Sequence, residues 1–598
     1  MLRLFRKYLK PYWAFCLGAI FFTLTQVFTE MMLPKLMSSI VDKGVALGDL
    51  HAVWIFGLQM LGWAALGTLC SIVGSLFSAR ASMGFGMLAR KAMFRRVEEY
   101  SVYDFDQIGT SSLITRTTND VQQVERVVHM LLSIVLMTPL MFFGAVAMAL
   151  ATNPRLSIVI FAAIPILILM VIIVMRVAIP YLRSLQQKID QLNLVTRESL
   201  TGVQVIRAFN KQKWDDSRFD RANTDYCETN IKIGKMIAIL MPLITLLIST
   251  VMISIYWVGA NLLQSGALMV GDIMAVAQYA TMILMSVMML SMLFAVLPRA
   301  MAAAARINEV IEKEPSIIDG PDAEDAVASP LPGSSIVFED VTYTFKGAEK
   351  PTLESLNFTI EPGETAVIIG ATGSGKTTIL NLIMRFLEPT SGRVLIDGQD
   401  VSKVKQASLR EKISYVSQKA LLFSGTIKDN ILFGNQDASD EDVFRAAKYA
   451  VADEFIANKQ DGYDYELTQS GSNLSGGQRQ RMSIARALLK RSNIYMFDDS
   501  FSALDFSTDL KIRAALPKLI GDATMLVVAQ HVNVAMGADK IIVLDEGRVV
   551  GIGTHEELME SCEVYNDIAM SQITEEDIER TSSNKPKASA EEVSSDGR

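Results

Sequence analysis

A glycine-rich turn is the clearest chemical signal in the sequence, where residues 370–377 read Gly-Ala-Thr-Gly-Ser-Gly-Lys-Thr. An apolar run over residues 365–369 precedes it and a helical pattern over residues 378–386 follows it, which is the strand, turn and helix context of a phosphate-binding loop. Glycines let backbone N–H groups close around phosphate oxygens at a helix N-terminus. We therefore predict an ATP site whose nucleotide-binding residues are Gly370, Thr372, Gly373, Ser374, Gly375, Lys376, Thr377 and Thr378.

Charged and hydroxyl side chains give this predicted site its chemistry. Lys376 would reach the β- and γ-phosphates, and Thr377 would hold Mg²⁺. A second apolar run, residues 494–497, ends in Asp498 and Asp499, as expected for a buried parallel strand that delivers carboxylates beside a nucleotide. We predict that Asp498 is the acid on the Mg²⁺ side, so ATP would bind together with Mg²⁺.

A pentapeptide between these two motifs carries a family resemblance. Residues 474–478 read Leu-Ser-Gly-Gly-Gln, and a helix-like stretch follows at residues 479–490. The pentapeptide matches the signature motif of ATP-binding cassette (ABC) exporters, which the chain resembles over nearly its whole length. The resemblance implies an all-α six-helix transmembrane exporter domain joined to an α/β P-loop NTPase domain, the cassette.

The same resemblance assigns expected roles to further residues. Phe345 matches the aromatic residue that stacks on adenine, with Tyr343 as a weaker candidate. Gln418 matches the glutamine that couples Mg²⁺ to the transmembrane domain, and Asp505 ends the loop that crosses the interface between two cassettes. Residues 105–116 and 206–219 resemble the two cytoplasmic regions that bear coupling helices.

Two departures from the family pattern affect hydrolysis. Efficient members have Glu where this chain has Asp499, and the loss of a methylene withdraws the carboxylate by about 1.5 Å. A misplacement of about 1 Å can cost ~10²-fold in rate. Gln530 occupies the position of the family's switch histidine, and no gap brings His531 into register. A neutral amide can hydrogen-bond phosphate but cannot carry the charge of imidazole, so we predict retained ATP binding with slow hydrolysis.

The signature residues Ser475 and Gly477 are intact beside this impaired site. Cassettes of the family pair head to tail, so the resemblance implies that this signature completes a partner's site. The chain therefore resembles the degenerate-site subunit of bacterial heterodimeric multidrug exporters. Two alternatives remain: a homodimeric exporter with slow turnover, and a regulatory subunit without transport activity that uses ATP as a conformational ligand.

The composition indicates that one part of the chain lies in a membrane and the other part in water. The 598 residues are 50% hydrophobic and 20% charged, but the long apolar runs are concentrated in the first half. Four scattered cysteines indicate neither a disulfide framework nor a zinc site, and a net charge of −8 without a basic patch argues against a nucleic-acid partner. We expect instead a lipid bilayer and a hydrophobic or amphipathic substrate.

Six apolar stretches have the length of about 20 residues that a membrane-spanning helix needs. They centre on residues 13–34, 53–77, 131–151, 156–177, 236–262 and 273–297, and we expect the first to remain as a span rather than to be cleaved. Basic residues before the first span and after the second predict cytoplasmic termini, and the family resemblance implies the bacterial inner (plasma) membrane. The predicted domains are 1–312 (transmembrane), 313–334 (linker), 335–573 (cassette) and 574–598 (disordered tail).

Overall fold

The computed structural model describes residues 1–264, 266, 268–327 and 332–572. The chain forms two compact units. The helical unit comprises Met1–Glu99 and Ile108–Lys313, and the C-terminal unit comprises Tyr100–Gln107 and the chain from Glu314 onward. The predicted tail, residues 574–598, lies outside the described residues.

Long helices make up the first half of the chain. Their bounds are α1 Phe5–Val45, α2 Leu50–Glu98, α3 Val102–Ile108, α4 Thr110–Thr152, α5 Pro154–Thr201, α6 Val203–Ala208, α7 Gln212–Gln264 and α8 Val270–Glu312. Within the described residues, six helices are long and apolar enough to cross a membrane. Each predicted span lies inside one of these six helices, which confirms the predicted all-α membrane architecture.

The helices extend beyond the apolar stretches because polar sequence with good helix formers continues them. Helix α2 runs on to Glu98 and α7 begins at Gln212, far from the nearest apolar stretch. The short connections carry helix caps: the Asp49 side chain accepts from the N–H groups of His51 and Ala52, and the Asn153 side chain from those of Arg155 and Leu156. These caps satisfy backbone donors that the first turn leaves unpaired.

The described part of the C-terminal unit contains three sheets. Its strands are β1 Ile336–Tyr343, β2 Leu353–Ile360, β3 Thr365–Gly370, β4 Ser391–Ile396, β5 Gln399–Asp400, β6 Ile413–Val416, β7 Gly425–Thr426, β8 Glu466–Leu467, β9 Ile494–Asp498, β10 Thr524–Ala529, β11 Lys540–Asp545 and β12 Arg548–Gly553. Strands β2, β1, β4 and β5 form an antiparallel sheet in that order, β12, β11, β3, β10, β9 and β6 form the central sheet, and β7 pairs with β8.

Helices cover both faces of the central sheet. They are α9 Lys376–Ile383, α10 Gln406–Glu411, α11 Ile427–Leu432, α12 Asp440–Tyr449, α13 Asp453–Ile456, α14 Gly476–Leu489, α15 Phe506–Ile520, α16 Val532–Ala535, α17 His555–Ser561 and α18 Glu563–Gln572. Helix α9 begins at Lys376, earlier than its apolar pattern predicts, and α14 begins at Gly476 because Ser475 caps it. This α/β architecture confirms the predicted fold class.

Parallel pairing brings the chemical residues to one edge of the central sheet. Strand β10 lies between β3 and β9, with Ala529 beside Ile369 and Val528 beside Asp498. All three strands are buried, as expected for parallel strands covered on both faces. Their carboxyl ends therefore place the glycine-rich turn, the Asp498–Asp499 pair and Gln530 next to one another.

The described part of the predicted linker is held against the C-terminal unit. Arg385, whose side chain is 3% exposed, forms a 2.9 Å ion pair with Asp319 and donates to the Ile318 carbonyl oxygen at 3.0 Å. Farther along, Glu324 exchanges backbone hydrogen bonds with Lys403 and Lys405. Asp319 thus pairs with a buried cation, and the backbone of Glu324 holds the stretch beside residues 403–405.

Candidate functional site

A cavity of about 340 Å³ opens at the carboxyl edge of the central sheet. It is lined by Phe345, Thr352, Thr372, Gly373, Gly375, Lys376, Thr377, Thr378, Gln418, Asp498, Asp499, Val528 and Gln530. The structure therefore brings together most of the residues predicted from the motifs. Thr352 and Val528 are lining residues to which the sequence analysis assigned no role.

Backbone conformation shapes the glycine-rich turn. Gly375 has a φ of +98°, and a Cβ there would lie 2.5 Å from Leu353 Cδ2. Gly373 has a φ of +88° and faces open space. Residues with side chains rarely adopt these angles, so the glycines allow the turn that leads into α9. Gly370 ends β3, and a Cβ there would lie 2.1 Å from the Leu544 carbonyl oxygen.

Ser374 provides a direct test of whether a phosphate group fits this turn. The residue is only 5% exposed, and within the described chain its Oγ has no hydrogen-bond partner. A buried polar group without a partner is costly, and such groups in native structures usually serve a ligand, ion or water. The buried hydroxyl and the N-terminus of α9 fit a bound phosphate group.

Lys376 is held inside the turn. Its Nζ donates to the carbonyl oxygens of Gly370 at 2.8 Å and Ala371 at 2.7 Å. Burial lowers the pKa of Lys376, and the nearby carboxylates of Asp499 and Asp498 oppose that shift. The ammonium group is thus positioned at the turn before any anion binds.

Thr377 and Asp498 form the pair that could hold Mg²⁺. Thr377 Oγ1 donates to Asp498 Oδ1 at 3.0 Å, and the Tyr415 hydroxyl donates to Oδ2 at 3.2 Å. Burial raises the pKa of Asp498, and these two hydrogen bonds oppose the shift. Among the described residues no group of three or more His, Cys, Asp or Glu could hold a metal alone. Mg²⁺ commonly uses one or two carboxylates with substrate phosphates, so the pair fits.

Asp499 is bound by two amides. Its Oδ2 accepts from Gln530 Nε2 at 2.8 Å and from Gln418 Nε2 at 3.1 Å. The residue is 8% exposed and has a φ of +45°, which is uncommon for a residue with a side chain. The structure thus joins both departures from the family pattern, Asp499 and Gln530, in one hydrogen-bonded group.

Phe345 and Tyr343 differ in their exposure. Tyr343 is 7% exposed within the apolar core, whereas Phe345 is 42% exposed and lines the cavity. The two rings meet edge to face with centroids 4.9 Å apart. A face of Phe345 is available for a planar base, and Tyr343 supports that ring from behind.

The signature residues lie apart from this cavity. Ser475 Oγ accepts from the N–H of Gln478 at 3.3 Å, and Gln478 Oε1 accepts from the N–H of Ser475 at 3.1 Å. A Cβ at Gly477 would lie 3.3 Å from the Ala503 carbonyl oxygen. This reciprocal cap begins α14, and neither Ser475 nor Gly477 is among the residues that line the cavity.

Asp505 has a local role at the start of α15. It accepts from Ser507 Oγ at 2.7 Å and from the N–H of Thr508 at 3.0 Å. The hydrogen bond from the Ser507 side chain, followed by those from Thr508, lowers the pKa of Asp505 to about 2. The residue is therefore an ionised helix cap outside the cavity.

Comparison with known proteins gives consistent matches for both units. Residues 16–287 match the ABC transporter transmembrane region, and residues 353–502 match the ABC transporter family. The chain is 37% identical over 573 residues to the ABC transporter ATP-binding protein YfiB of Bacillus subtilis strain 168, covering 96% of this chain and 99% of that protein.

Two further similarities extend over both units. The chain is 31% identical over 583 residues to the ATP-dependent lipid A-core flippase of Hahella chejuensis, covering 96% of this chain and 97% of the flippase. A solved structure of a bacterial Atm1-family ABC exporter with ATP bound matches with a TM-score of 0.75 and 26% identity. That match covers 94% of this chain and 98% of the solved one.

Proposed function

Because this chain belongs to the ABC transporter family, as a multi-pass exporter that couples ATP hydrolysis to transport, we propose that it is the degenerate-site subunit of a heterodimer. Its cargo would be apolar or amphipathic molecules such as drugs, lipids or peptides. The proposal also includes the bacterial inner membrane as location and cytoplasmic termini.

One observation supports pairing with a second cassette: the signature residues lie outside the nucleotide cavity of their own cassette. Ser475 and Gly477 are intact and locally ordered, yet they are not among the residues that line that cavity. A second cassette is therefore needed for them to act on a nucleotide. Ala503 lies next to Gly477, and Asp505, which caps α15, follows it by two residues. Asp505 would therefore face the same partner cassette as the signature residues.

The residues of this chain's own site favour binding over hydrolysis. Lys376, Ser374 and Thr377 would hold the phosphates, and Asp498 with Gln418 would hold Mg²⁺, which neutralises phosphate charge when bound. Phe345 would support the base. Asp499 already shares its Oδ2 between two amides, and its carboxylate is one methylene shorter than the Glu of efficient members. Water would thus be poorly oriented here, while the partner's site would hydrolyse ATP.

The membrane half supports an amphipathic cargo. The relative from Hahella chejuensis is named for a lipid, and this chain is 31% identical to it along nearly its full length. A cavity of about 680 Å³ lies among the spans of α4, α5 and α8, and its walls are mainly apolar side chains. Cavities of ~300–1,000 Å³ are typical of small-molecule sites.

The deciding experiment is the native mass of the complex extracted gently from its own membrane. A mass of two unlike chains supports the degenerate-subunit proposal, particularly if the partner carries Glu and His at the positions that match Asp499 and Gln530. A mass of twice this chain would overturn the heterodimer and leave a homodimeric exporter. ATP-driven accumulation of an amphipathic dye in inverted vesicles tests transport itself, and its absence would favour a regulatory subunit.

A further inference from the structure

Among the described residues that line the cavity in the membrane half, one is charged. Its thirteen lining residues, all within the described chain, include nine aliphatic or aromatic side chains from α4, α5 and α8, together with Thr138, Pro139, Ser286 and Arg176. An ionisable side chain within a membrane-spanning segment is costly, which makes it a candidate for function. The mainly apolar lining does not account for an arginine in this cavity.

The other polar groups of this cavity are already satisfied. Thr138 Oγ1 donates to the Ile134 carbonyl oxygen at 2.7 Å, and Ser286 Oγ donates to the Ile283 carbonyl oxygen at 2.7 Å. Both hydroxyls are thus occupied by their own helices. Within the described part of the chain, Arg176 has neither a hydrogen bond nor an ion pair, and no Asp or Glu lines the cavity.

The position of Arg176 along α5 shows which end of the cavity lies near the membrane interface. Arg176 lies 22 residues after Pro154, where α5 begins, and a helix rises about 1.5 Å per residue, or roughly 33 Å over that distance. The hydrocarbon core is about 30 Å thick. Ile164, Ile168 and Ile172 come earlier on α5, so they lie at hydrocarbon depth. Arg176 lies close to the interface on the side toward which α5 and α8 extend.

We propose that this cavity binds an anionic amphiphile, with its apolar chain among the isoleucines of α5 and its phosphate or carboxylate group on Arg176. This inference rests on the proposed export function and narrows its substrate class to anions. The guanidinium fork matches phosphate and carboxylate geometry. Hydrogen bonds between ionised partners are roughly twice as strong as those between neutral ones, so we expect the charge of the head group to decide which amphiphile binds.

The test uses the native complex in nanodiscs of zwitterionic lipid, with fluorescent 11-(dansylamino)undecanoic acid as the reporter ligand. Dodecyl phosphate and dodecyltrimethylammonium, which have equal chain length and opposite charge, compete with it. We expect dodecyl phosphate to compete at least about tenfold better, the low end for a hydrogen bond to a charged group. Arg176→Gln should abolish this preference, and Arg176→Glu should reverse it.

Two further variants provide controls. Arg155→Gln removes an exposed arginine at the other end of the same apolar segment and should leave the preference intact. Ile168→Trp should fill the cavity and weaken both competitors. A preference that survives Arg176→Gln would overturn the proposal, and so would a reporter that partitions into lipid without saturable binding, because Arg176 would then only reach toward the membrane interface.

Transport measurements separate this inference from the export proposal. If inverted vesicles accumulate amphipathic dyes while Arg176→Gln leaves the charge preference unchanged, the anion site is wrong and export stands. If dodecyl phosphate binds in an Arg176-dependent manner but no amphiphile accumulates with ATP, the anion site stands and the export proposal fails.

Discussion

Gln530 donates a 2.8 Å hydrogen bond from Nε2 to Oδ2 of Asp499, which joins the two residues that depart from the family pattern. Gln418 Nε2 donates to the same oxygen at 3.1 Å. A glutamate at position 499 would extend farther, and a histidine at 530 could carry a positive charge. At this site a shorter carboxylate therefore accepts hydrogen bonds from two neutral amides, one of which stands at the position of the family's histidine.

We predict that Asp499→Glu combined with Gln530→His increases hydrolysis at this chain's own site by about 10²-fold, the cost assigned above to a misplaced carboxylate. The measurement is the ADP-to-ATP ratio of nucleotide photocrosslinked to this chain after one turnover. Asp499→Asn serves as the control because it keeps the shorter side chain and removes the charge. A wild-type chain that already converts its bound ATP as fast as the complex turns over would contradict the impaired site.

The raised pKa of Asp498 predicts a pH-dependent stability. Burial places the folded-state pKa above the unfolded value of about 3.9, so protonation favours the folded state and stability is lost as pH rises through the folded-state pKa. Asp498→Asn removes this loss. The nucleotide-free variant should therefore unfold at a higher temperature than wild type at pH 7, by roughly 2–4 °C per kcal/mol, and the difference should shrink toward pH 4.

Thermal unfolding with and without Mg²⁺ and ATP checks that prediction. Wild type should gain more stability from the ligand than Asp498→Asn, because the variant lacks the carboxylate proposed for Mg²⁺. Asp522→Asn changes an exposed carboxylate and should match wild type at every pH. An Asp498→Asn difference that is independent of pH would contradict the assigned cause.

Asp104, the residue immediately before the first predicted coupling region, contacts the start of the predicted linker. Its Oδ2 accepts from the N–H of Ser316 at 2.7 Å, from Ser316 Oγ at 2.8 Å and from Ser101 Oγ at 2.8 Å. The residue is 3% exposed. Asp104→Ala would remove three hydrogen bonds to a carboxylate, at a cost of about 1.5–3 kcal/mol or more, the range for one hydrogen bond to a charged group.

We expect Asp104→Ala to lower the amount of substrate transported per ATP hydrolysed, while ATP affinity changes little. The measurement compares dye accumulation in inverted vesicles with phosphate release from the same vesicles. Asp106→Ala on the same helix alters an exposed side chain and provides the matched control. Equal ratios for the two variants would show that the contact with Ser316 does not contribute to coupling.

Gln572 positions the segment that contains Gln530. Its Nε2 donates to the Gln530 carbonyl oxygen at 3.0 Å, and its Oε1 accepts from the N–H of Val532 at 2.9 Å. We predict that Gln572→Ala accelerates hydrogen exchange at residues 530–535 and weakens ATP binding a few-fold. Met570→Ala, which changes a 60% exposed residue on the same helix, should affect neither. Unchanged exchange in Gln572→Ala would contradict this role.

The sequence alone determined the six spans and the phosphate-binding turn. Membrane thickness sets the length of an apolar helix, and the glycine-rich turn depends on a few residues in consecutive order, so both leave local patterns. The family resemblance also predicted an α/β unit, and the apolar run before Asp498 predicted carboxylates beside a nucleotide. These features need no knowledge of distant contacts.

Only the tertiary structure decided the contacts between residues far apart in the chain. Asp104 meets Ser316, Gln572 meets Gln530, and Arg176 comes to line a cavity whose walls belong to three helices. Apart from Gln530, none of these residues lies in a motif, because each contact depends on how folded elements pack rather than on neighbouring residues. Asp499 illustrates both sources. Its residue type was visible in the sequence, but its two amide donors, Gln530 and Gln418, reach it because β9 pairs in parallel with both β10 and β6.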